Sequence, residues 1–388
     1  MTATFASCRV FSPWSAERTR LATSWLEVIG ASPVDVVRAD LDASLPRARP
    51  RPLLDGVVRH TASVSSPHEP VSWTDISAYA ESALANARAW AAAGSAWDLG
   101  YSGPAGLADH LALALTRGAR LVPSWTAHLA DLPTHTAEGT RNLEPVEDGP
   151  VLTTLHRILD HWQAPPPESG HATDCVLALI AAGADRIVVG SETLAETLLA
   201  LPVWRARPGL ADRITIWTRP PIPMPQDAHA PGVVRVSARV DARTSPALEP
   251  ILRAYALLAP DERDRVRLVL TTTDGPATDG ATAAAVRRHG LEDCVEVRAD
   301  SGFPWRAGDF ALIVDEPRPE GMPCFPALPA DLADAEAGGI PVILLAPQDS
   351  PLTGRPAAAH LPFEHVSAAR ALLSRLAAQA RQPATARE

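Results

Sequence analysis

The chain has 388 residues, of which 46% are hydrophobic and 21% are charged, and this composition is typical of a folded globular protein with roughly two domains. Acidic residues outnumber basic residues by 45 to 35, and no basic cluster is present, which argues against nucleic acid as the main partner. Every basic residue is an arginine. The absence of lysine excludes Schiff-base and pyridoxal enzymes and the P-loop NTPases, because each of these needs a lysine amine.

The cysteines and the N-terminus predict a cytoplasmic protein without a membrane span. The four cysteines (Cys8, Cys175, Cys294 and Cys324) lie far apart and form no C-x-x-C pair, so neither a disulfide framework nor a zinc site is indicated. The first residues lack a basic segment followed by a long apolar stretch, and no apolar run reaches the roughly 18 residues of a membrane span.

The first half of the chain alternates short β-rich runs with alanine-rich segments of helical length. In chain order we expect strand 5–11, helix 16–30, strand 34–38, helix 75–93, a strand or strand-like turn at 97–100, helix 104–117, strand 119–123, helix 171–183, strand 185–190, helix 191–201 and strand 213–217. Polar and proline-rich stretches at 46–52, 133–150 and 163–170 are expected to be loops.

The second half repeats this alternation after a segment with five prolines in fifteen residues, 218–232, which we interpret as a linker. We expect strand 233–238, helix 246–258, strand 265–271, helix 281–289, strands 293–298 and 310–314, helix 328–337, strand 341–345 and helix 365–380. The predicted fold class is α/β, with two Rossmann-like domains facing each other across a ligand cleft. The predicted boundaries are an N-terminal domain over 1–220, a second domain over 221–362, and a C-terminal helix and tail over 363–388.

Several segments carry a family resemblance. Segment 309–321 (DFALIVDEPRPEG) is a buried strand followed by Glu320 and Gly321, and segment 333–343 reads ADAEAGGIPVI. Segment 237–244 (SARVDART) follows the first strand of the second half, and 120–129 (RLVPSWTAHL) contains a T-x-H with His128. Segments 184–194 (ADRIVVGSETL) and 212–223 (DRITIWTRPPIP) complete the set. Together these segments resemble the retaining GT-B glycosyltransferases of family 4, most closely the branch of the inositol-phosphate (mycothiol) glycosyltransferases and sucrose-phosphate synthases.

The resemblance implies roles for residues of the second half. Glu320 matches the first acid of a paired-acid motif and would contact the donor sugar, and Asp334 falls at the second acid and would hold the ribose hydroxyls. Arg239 matches an arginine that neutralises the donor diphosphate, and Arg243 is the neighbour that could replace a family lysine, whose own position is Thr244. Both arginines could instead be surface residues, Glu320 an exposed loop acid, and Asp334 a charge at a helix N-terminus.

Other candidates lie elsewhere in the site. Gly321 either lets the backbone approach a phosphate or forms a turn. His128 matches an active-site histidine that would donate a hydrogen bond near the reacting carbon, although a lone histidine is more often structural. Trp14 and Trp125 are expected where first-half strands end, on the acceptor side, where aromatic faces can bind sugars or cations; core packing is the alternative.

The chain also departs from the family pattern. Thirteen residues separate Glu320 from Asp334, six more than in the family; the P-N-G turn is absent after the strand at 213–217; and the glycine pair of the first loop is replaced by residues 12–17. These departures keep two alternatives open besides an active transferase. One is a non-catalytic partner that binds nucleotide sugars, and the other is a GT-B-like epimerase or hydrolase.

The expected function is therefore retaining transfer of a sugar from a UDP- or GDP-linked donor to a small-molecule acceptor. The expected setting is specialised metabolism, such as antibiotic biosynthesis, or low-molecular-weight thiol biosynthesis. We expect no metal, because no D-x-D or His-rich ligand set is present, and no cofactor beyond the donor substrate. A homodimer is compatible with the sequence.

Overall fold

The computed structural model describes residues 2–11, 17–40, 56–66, 72–104, 106–130, 143–205, 207–218, 232–240, 245–272, 280–299, 305, 308–315, 330–348, 350–363 and 365–380. The chain forms two compact units, and the main boundary between them falls between Pro220 and Pro221.

The first unit is a seven-stranded parallel sheet with helices between its strands. Its elements are β1 (Thr2–Ser7), α1 (Glu17–Val28), β2 (Ala31–Asp40), β3 (Val58–Ser65), α2 (Trp73–Ala92), β4 (Leu99–Ser102), α3 (Leu107–Gly118), β5 (Trp125–Leu129), α4 (Pro150–His161), α5 (Ala172–Gly183), β6 (Arg186–Val189), α6 (Glu192–Ala200), α7 (Pro202–Arg205) and β7 (Ile214–Ile216). The strand order is β3-β2-β1-β4-β5-β6-β7. Helix α5 is buried on almost every side and packs against α3, which is why both helices are rich in alanine and leucine.

The second unit is a six-stranded parallel sheet in the order β10-β9-β8-β11-β12-β13. Its elements are β8 (Val234–Val240), α8 (Glu249–Ala256), α9 (Pro260–Arg263), β9 (Val266–Thr272), α10 (Ala281–Arg288), β10 (Val295–Ala299), β11 (Phe310–Val314), α11 (Ala330–Ala337), β12 (Val342–Leu345), β13 (Ala359–Leu361) and α12 (Val366–Ala380). Leu372, Leu373 and Leu376 bury one face of α12 in the core of this unit, against α8. The C-terminal helix is therefore part of the second unit's core.

The expected alternation of strands and helices is confirmed in both halves, and both sheets are parallel. One strand is displaced from its predicted place: β5 begins at Trp125, whereas the apolar residues of 119–123 form the turn after α3. Arg120 adopts a positive φ of 60° there, and Pro123 has no N–H for a ladder, so the strand cannot start earlier.

Five elements were not predicted, and two of them are the four-residue helices α7 and α9. Helix α4 buries Val151, Leu155, Ile158 and Leu159, a helical spacing that the sequence shows after Pro150. Strand β3 lies at the sheet edge and is exposed at every second residue over most of its length, so it lacks an apolar run. Strand β13 has only three residues, too few for a pattern.

Among the described residues, no helix is long and apolar enough to cross a membrane.

Candidate functional site

Each sheet has a point at which its strand order reverses. In the first sheet the chain builds outward from β1 toward β3 and then resumes on the other side with β4. In the second sheet it builds from β8 toward β10 and resumes with β11. Ligands of open α/β sheets bind beyond the carboxyl ends of the strands at such points, because the connecting loops diverge there and leave a crevice.

Arg239 lies at the reversal of the second sheet, one residue before β8 ends, where it pairs with Thr271 of β9. Its side chain is 9% exposed, and its Nη1 donates a hydrogen bond of 2.5 Å to Oδ1 of Asp331, in the first turn of α11. Arg239 was expected just after the first strand of the second unit and lies inside it, one residue before its end, where its guanidinium engages a carboxylate.

Asp334 lies three residues after Asp331, so the two carboxylates occupy neighbouring positions on one face of α11. Asp334 is 1% exposed, whereas 22% of the Asp331 side chain is exposed. The structure thus brings Arg239 and the predicted Asp334 to one corner of the unit through Asp331. Of the two aspartates, Asp331 is the more accessible to a ligand.

A third carboxylate lies at the same edge. Asp315 directly follows β11, the strand next to β8, and is 5% exposed. It accepts a hydrogen bond from Oγ of Ser350, which also caps the short helical turn Pro351–Gly354. Within the described residues this edge therefore holds Arg239 beside three aspartates. Arg298, near the end of β10 two strands away, is paired with Glu296, so a diphosphate bound at Arg239 would require further positive charge or donors.

Four predicted site residues lie outside the described residues: Trp14, Arg243, Glu320 and Gly321.

The reversal of the first sheet holds a buried polar network centred on Asp109. This residue lies in the first turn of α3 and is fully buried. Its Oδ1 accepts hydrogen bonds from Ser7 Oγ and from the Arg9 backbone N–H, both at 2.9 Å, and lies 3.3 Å from the Tyr79 hydroxyl. The Arg9 side chain is 1% exposed and lies over the Tyr79 ring, with 5.7 Å between Cζ and the ring centroid.

Burial raises the pKa of Asp109 to about 7, although the charge of Arg9 and the hydrogen bonds to Oδ1 lower it in part. The second oxygen, Oδ2, is buried and has no hydrogen-bond partner among the described residues. A carboxyl group with a pKa near neutrality at a sheet reversal is a candidate functional group, because it can hold or release a proton in the working pH range.

His128 lies inside β5 and is 1% exposed. Its Nδ1 is 2.8 Å from the Tyr101 hydroxyl, and its ring packs edge-on against Trp25 and Trp217, at centroid distances of 6.3 and 5.7 Å. Burial, together with the neighbouring His110, lowers the pKa of His128 to about 3. The imidazole is therefore neutral at physiological pH and can serve as a hydrogen-bond donor or acceptor, not as a cation.

Trp125 requires a correction. It was expected where a strand ends, facing an acceptor, but it is the first residue of β5 and is fully buried. Its indole N–H donates to Ser102 Oγ at 2.8 Å. The ring is a core residue on the face of the sheet covered by α3, because the displaced strand start puts Trp125 at the amino end of β5, away from the edge where ligands bind.

Sequence reasoning did not select Tyr101, Asp109 or Tyr79. The predicted strand 5–11 ran past the true end of β1 at Ser7, which hid the fact that Ser7 and Arg9 flank the carboxyl end of a buried strand. A signal for Asp109 was present, since it lies three residues after Gly106 in the first turn of a helix, where an acidic residue is favoured.

No group of three or more His, Cys, Asp or Glu side chains that could hold a metal ion occurs in the described part of the chain.

No protein-family model matches this sequence, and no curated protein matches it. Solved structures do match. The apo structure of OtsA is 12% identical over 97% of this chain and 91% of its own, with a TM-score of 0.54. A UDP-forming α,α-trehalose-phosphate synthase from Burkholderia xenovorans, in complex with glucose-6-phosphate, is 10% identical over 100% and 94%, with a TM-score of 0.53. A further OtsA trehalose-6-phosphate synthase is 10% identical over 98% and 96%, with a TM-score of 0.52.

These similarities confirm the predicted fold class: the chain has the GT-B fold, with two Rossmann-like α/β units. A shared fold does not by itself carry a shared activity, so function has to be argued from the site.

Proposed function

We propose that this protein is a retaining glycosyltransferase that moves a sugar from a nucleotide diphosphate sugar to a small-molecule acceptor. In the reaction the bond between the anomeric carbon and the donor phosphate oxygen breaks, and a bond from that carbon to an acceptor atom forms on the same face. The departing phosphate oxygen takes the acceptor's proton, and the nucleoside diphosphate leaves. The balance of this step needs no metal and no redox cofactor.

The observation that carries the proposal is the position of Arg239. An arginine fork at the carboxyl end of β8, next to the reversal of the second sheet, can donate bidentate hydrogen bonds to a diphosphate as negative charge develops on it. The N-terminus of α11, whose first turn holds the Asp331 partner of Arg239, adds favourable backbone dipoles for an anion. We assign the donor to the second unit for this reason, with Asp334 or Asp331 toward the ribose.

The remaining roles follow the family resemblance. Glu320 would contact the donor sugar, Gly321 would let the backbone approach the phosphates, and Arg243 would supply the second positive charge that the aspartate-rich edge requires. Trp14 remains a candidate acceptor contact. In the first unit, His128 would donate a hydrogen bond to the transferred sugar from its neutral ring.

The donor nucleotide and the acceptor remain proposals. The structurally similar enzyme from Burkholderia xenovorans is UDP-forming and was solved with glucose-6-phosphate, so UDP-linked sugars and sugar phosphates are the first probes we propose. We place the acceptor among small molecules of specialised metabolism or low-molecular-weight thiol biosynthesis.

One observation favours a second candidate function. Because Nη1 of Arg239 already donates to Asp331, a donor diphosphate must share the guanidinium with a carboxylate, whose negative charge opposes its binding. A protein with a lowered affinity for the nucleotide-sugar donor could act as a non-catalytic partner that binds nucleotide sugars beside an active transferase.

Incubation with a panel of UDP- and GDP-sugars, with and without acceptors, separates these functions. Transfer releases nucleoside diphosphate only when an acceptor is present. Binding without release under every condition would favour the partner, and free sugar or an isomerised donor would favour a hydrolase or an epimerase.

Substitutions test the proposed site. Glu320→Gln and Arg239→Ala are each expected to lower turnover by at least about tenfold, because each removes stabilisation of the developing charge. Arg265→Ala, which removes an arginine that pairs with Asp261 at the surface, is a matched control expected to retain the wild-type rate. Wild-type rates for both site variants would exclude this assignment.

A further inference from the structure

Strand β4 presents two consecutive residues to two buried histidines on opposite faces of the first sheet. Tyr101 Oη lies 2.8 Å from Nδ1 of His128, and Ser102 Oγ lies 2.8 Å from Nδ1 of His110. Each histidine is 1% exposed. Because adjacent residues of a strand point to opposite faces, one short strand fixes both rings through the same nitrogen.

The direction of the Tyr101 hydrogen bond follows from the partners. A phenol has one proton to donate, and Tyr101 makes no other hydrogen bond among the described residues. If Nδ1 carried the proton and donated it to the phenol oxygen, the buried hydroxyl proton would have no acceptor there. Both groups have a partner when the Tyr101 hydroxyl donates to Nδ1 of His128, and the imidazole proton then lies on Nε2.

The protonation states agree with this direction. Burial raises the pKa of Tyr101 well above its ordinary value, so the phenol keeps its proton. Burial and His110 lower the pKa of His128 to about 3, so the ring carries a single proton at neutral pH.

Aromatic contacts fix the plane of the ring. Trp25 and Trp217 lie edge-on to His128, with interplanar angles of 60° and 77°, and their own centroids are 5.2 Å apart. A ring confined in this way, and held at Nδ1, presents Nε2 in one direction only.

We propose that Tyr101 is the positioning residue of His128: its hydroxyl holds the imidazole in the Nε2–H tautomer, so that His128 acts as a neutral hydrogen-bond donor and not as a base. The use of that donor toward a sugar rests on the proposed function. The tautomer itself does not, since it follows from contacts within the first unit.

Histidine-selective ¹⁵N labelling of the full chain tests the tautomer directly. His128→Gln assigns the His128 signals, and long-range ¹H–¹⁵N correlation spectra distinguish a protonated from an unprotonated ring nitrogen. Wild-type protein is expected to show an unprotonated Nδ1 and a protonated Nε2 at His128. Tyr101→Phe should shift the ring toward a mixture of tautomers. Tyr255→Phe removes another buried hydroxyl, which donates to Val266 O, and should leave the His128 signals unchanged.

The outcomes separate this proposal from the proposed function. A wild-type Nδ1–H tautomer, or unchanged His128 signals in Tyr101→Phe, overturns the positioning role; the wild-type spectrum decides the tautomer even where Tyr101→Phe does not fold. If the protein transfers sugar, Tyr101→Phe should lower kcat in proportion to the share of the Nε2–H tautomer that is lost, with little change in the donor KM, because the nucleotide contacts are kept. Transfer at the wild-type kcat by Tyr101→Phe would reject the positioning role while leaving the transferase in place. A protein that transfers no sugar but shows the Nε2–H tautomer would reject the function alone.

Discussion

At the scale of single residues, two buried aspartates of the first sheet behave in opposite ways. Asp35 in β2 accepts hydrogen bonds from Arg59 Nε at 3.0 Å, from Arg59 Nη2 at 2.5 Å and from Trp97 Nε1 at 2.7 Å. Burial alone would raise the pKa of Asp35, but these bonds and the Arg59 charge outweigh it and the pKa is lowered. At Asp109 the hydrogen bonds and the charge of Arg9 do not offset the effect of burial, and its pKa is raised to about 7. Both carboxylates are inaccessible to solvent, but Asp35 lies next to the edge strand β3 and is paired directly with Arg59, so it is less strongly desolvated and better stabilised than Asp109.

The raised pKa of Asp109 predicts that the stability of the folded protein depends on pH. Its folded-state pKa lies above the ordinary value of 3.8, so the folded chain retains a proton that the unfolded chain has lost between about pH 4 and about pH 7. Stability from this group is therefore present at low pH and lost as the pH rises through that window. Asp109→Asn cannot ionise, so its free energy of unfolding relative to wild type should rise with pH there, by at most about 1.4 kcal/mol per pH unit. Urea unfolding of both proteins at pH 5, 6, 7 and 8 measures the slope.

Asp35→Asn is the matched control for that measurement. It should destabilise the protein by about 1.5 to 3 kcal/mol, because a fully buried position loses the charge-assisted hydrogen bonds from Arg59 and Trp97. The stabilising contribution of Asp35 is present above pH 3.8 and is lost only below it, so the cost of Asp35→Asn should stay constant from pH 5 to pH 8. Parallel wild-type and Asp109→Asn curves over the same range would contradict the raised pKa of Asp109.

The contact between Arg239 and Asp331 can be tested by substituting both residues, singly and together. Arg239→Ala should weaken binding of UDP or GDP at least about tenfold, since it removes a diphosphate donor and leaves the Asp331 carboxylate without the neighbouring Arg239 charge. Removing the Asp331 charge as well, in Arg239→Ala/Asp331→Ala, should recover part of the affinity, a non-additivity expected of contacting residues. Calorimetric titration of the wild type and three variants measures it. Strictly additive losses would show that Asp331 does not compete with the diphosphate.

At the scale of elements, the loop after β4 is built against the end of β1. Gly103 donates its N–H to Ser7 O at 2.8 Å, and a Cβ added at Gly103 would meet Cys8 Sγ at 2.8 Å. A side chain there must push the two strand ends apart, and these ends carry the Asp109 network. This close approach explains why residue 103 is a glycine.

Gly103→Ala should therefore destabilise the protein by about 1 to 3 kcal/mol, through overpacking against Cys8. Adding Cys8→Ala removes the closest atom and should recover part of that loss. Gly56→Ala, at a position with no atom within 4 Å of the added Cβ, is the control and should have little effect. Thermal unfolding compares the four proteins, and a double variant no more stable than Gly103→Ala alone would reject the steric explanation.

At the scale of the whole molecule, the proposal assigns the two substrates to different units. Hydrogen–deuterium exchange with and without UDP or GDP tests this assignment in the intact chain. Peptides from the end of β8 and from α11 should exchange more slowly with nucleotide bound, and peptides from β1 and α3 should change little. Arg239→Ala should abolish the effect at the same nucleotide concentration. Protection confined to the first unit would overturn the placement of the donor.

The sequence alone determined the class of architecture and the chemistry that is absent. Alternation of apolar runs with amphipathic segments predicted two parallel α/β sheets, because hydrophobic period is a local property of the chain. The lack of lysine likewise limits phosphate contacts to arginine, backbone N–H groups or a metal, with Arg239 observed at the carboxyl end of β8. The same local reasoning failed where a turn overrode the pattern, as at Arg120 and Pro123, and that error put Trp125 at the wrong end of its strand.

Only the tertiary structure decided which polar groups meet. Ser7 reaches Asp109 across 102 residues of chain, Arg239 reaches Asp331 across 92, and Tyr101 reaches His128 across 27. These contacts depend on strand order, register and the face of the sheet, none of which is encoded in local periodicity. The burial that comes with these contacts also sets the pKa values. His128 was selected from a sequence motif, and the structure shows it as a neutral ring held by Tyr101, which no motif identified.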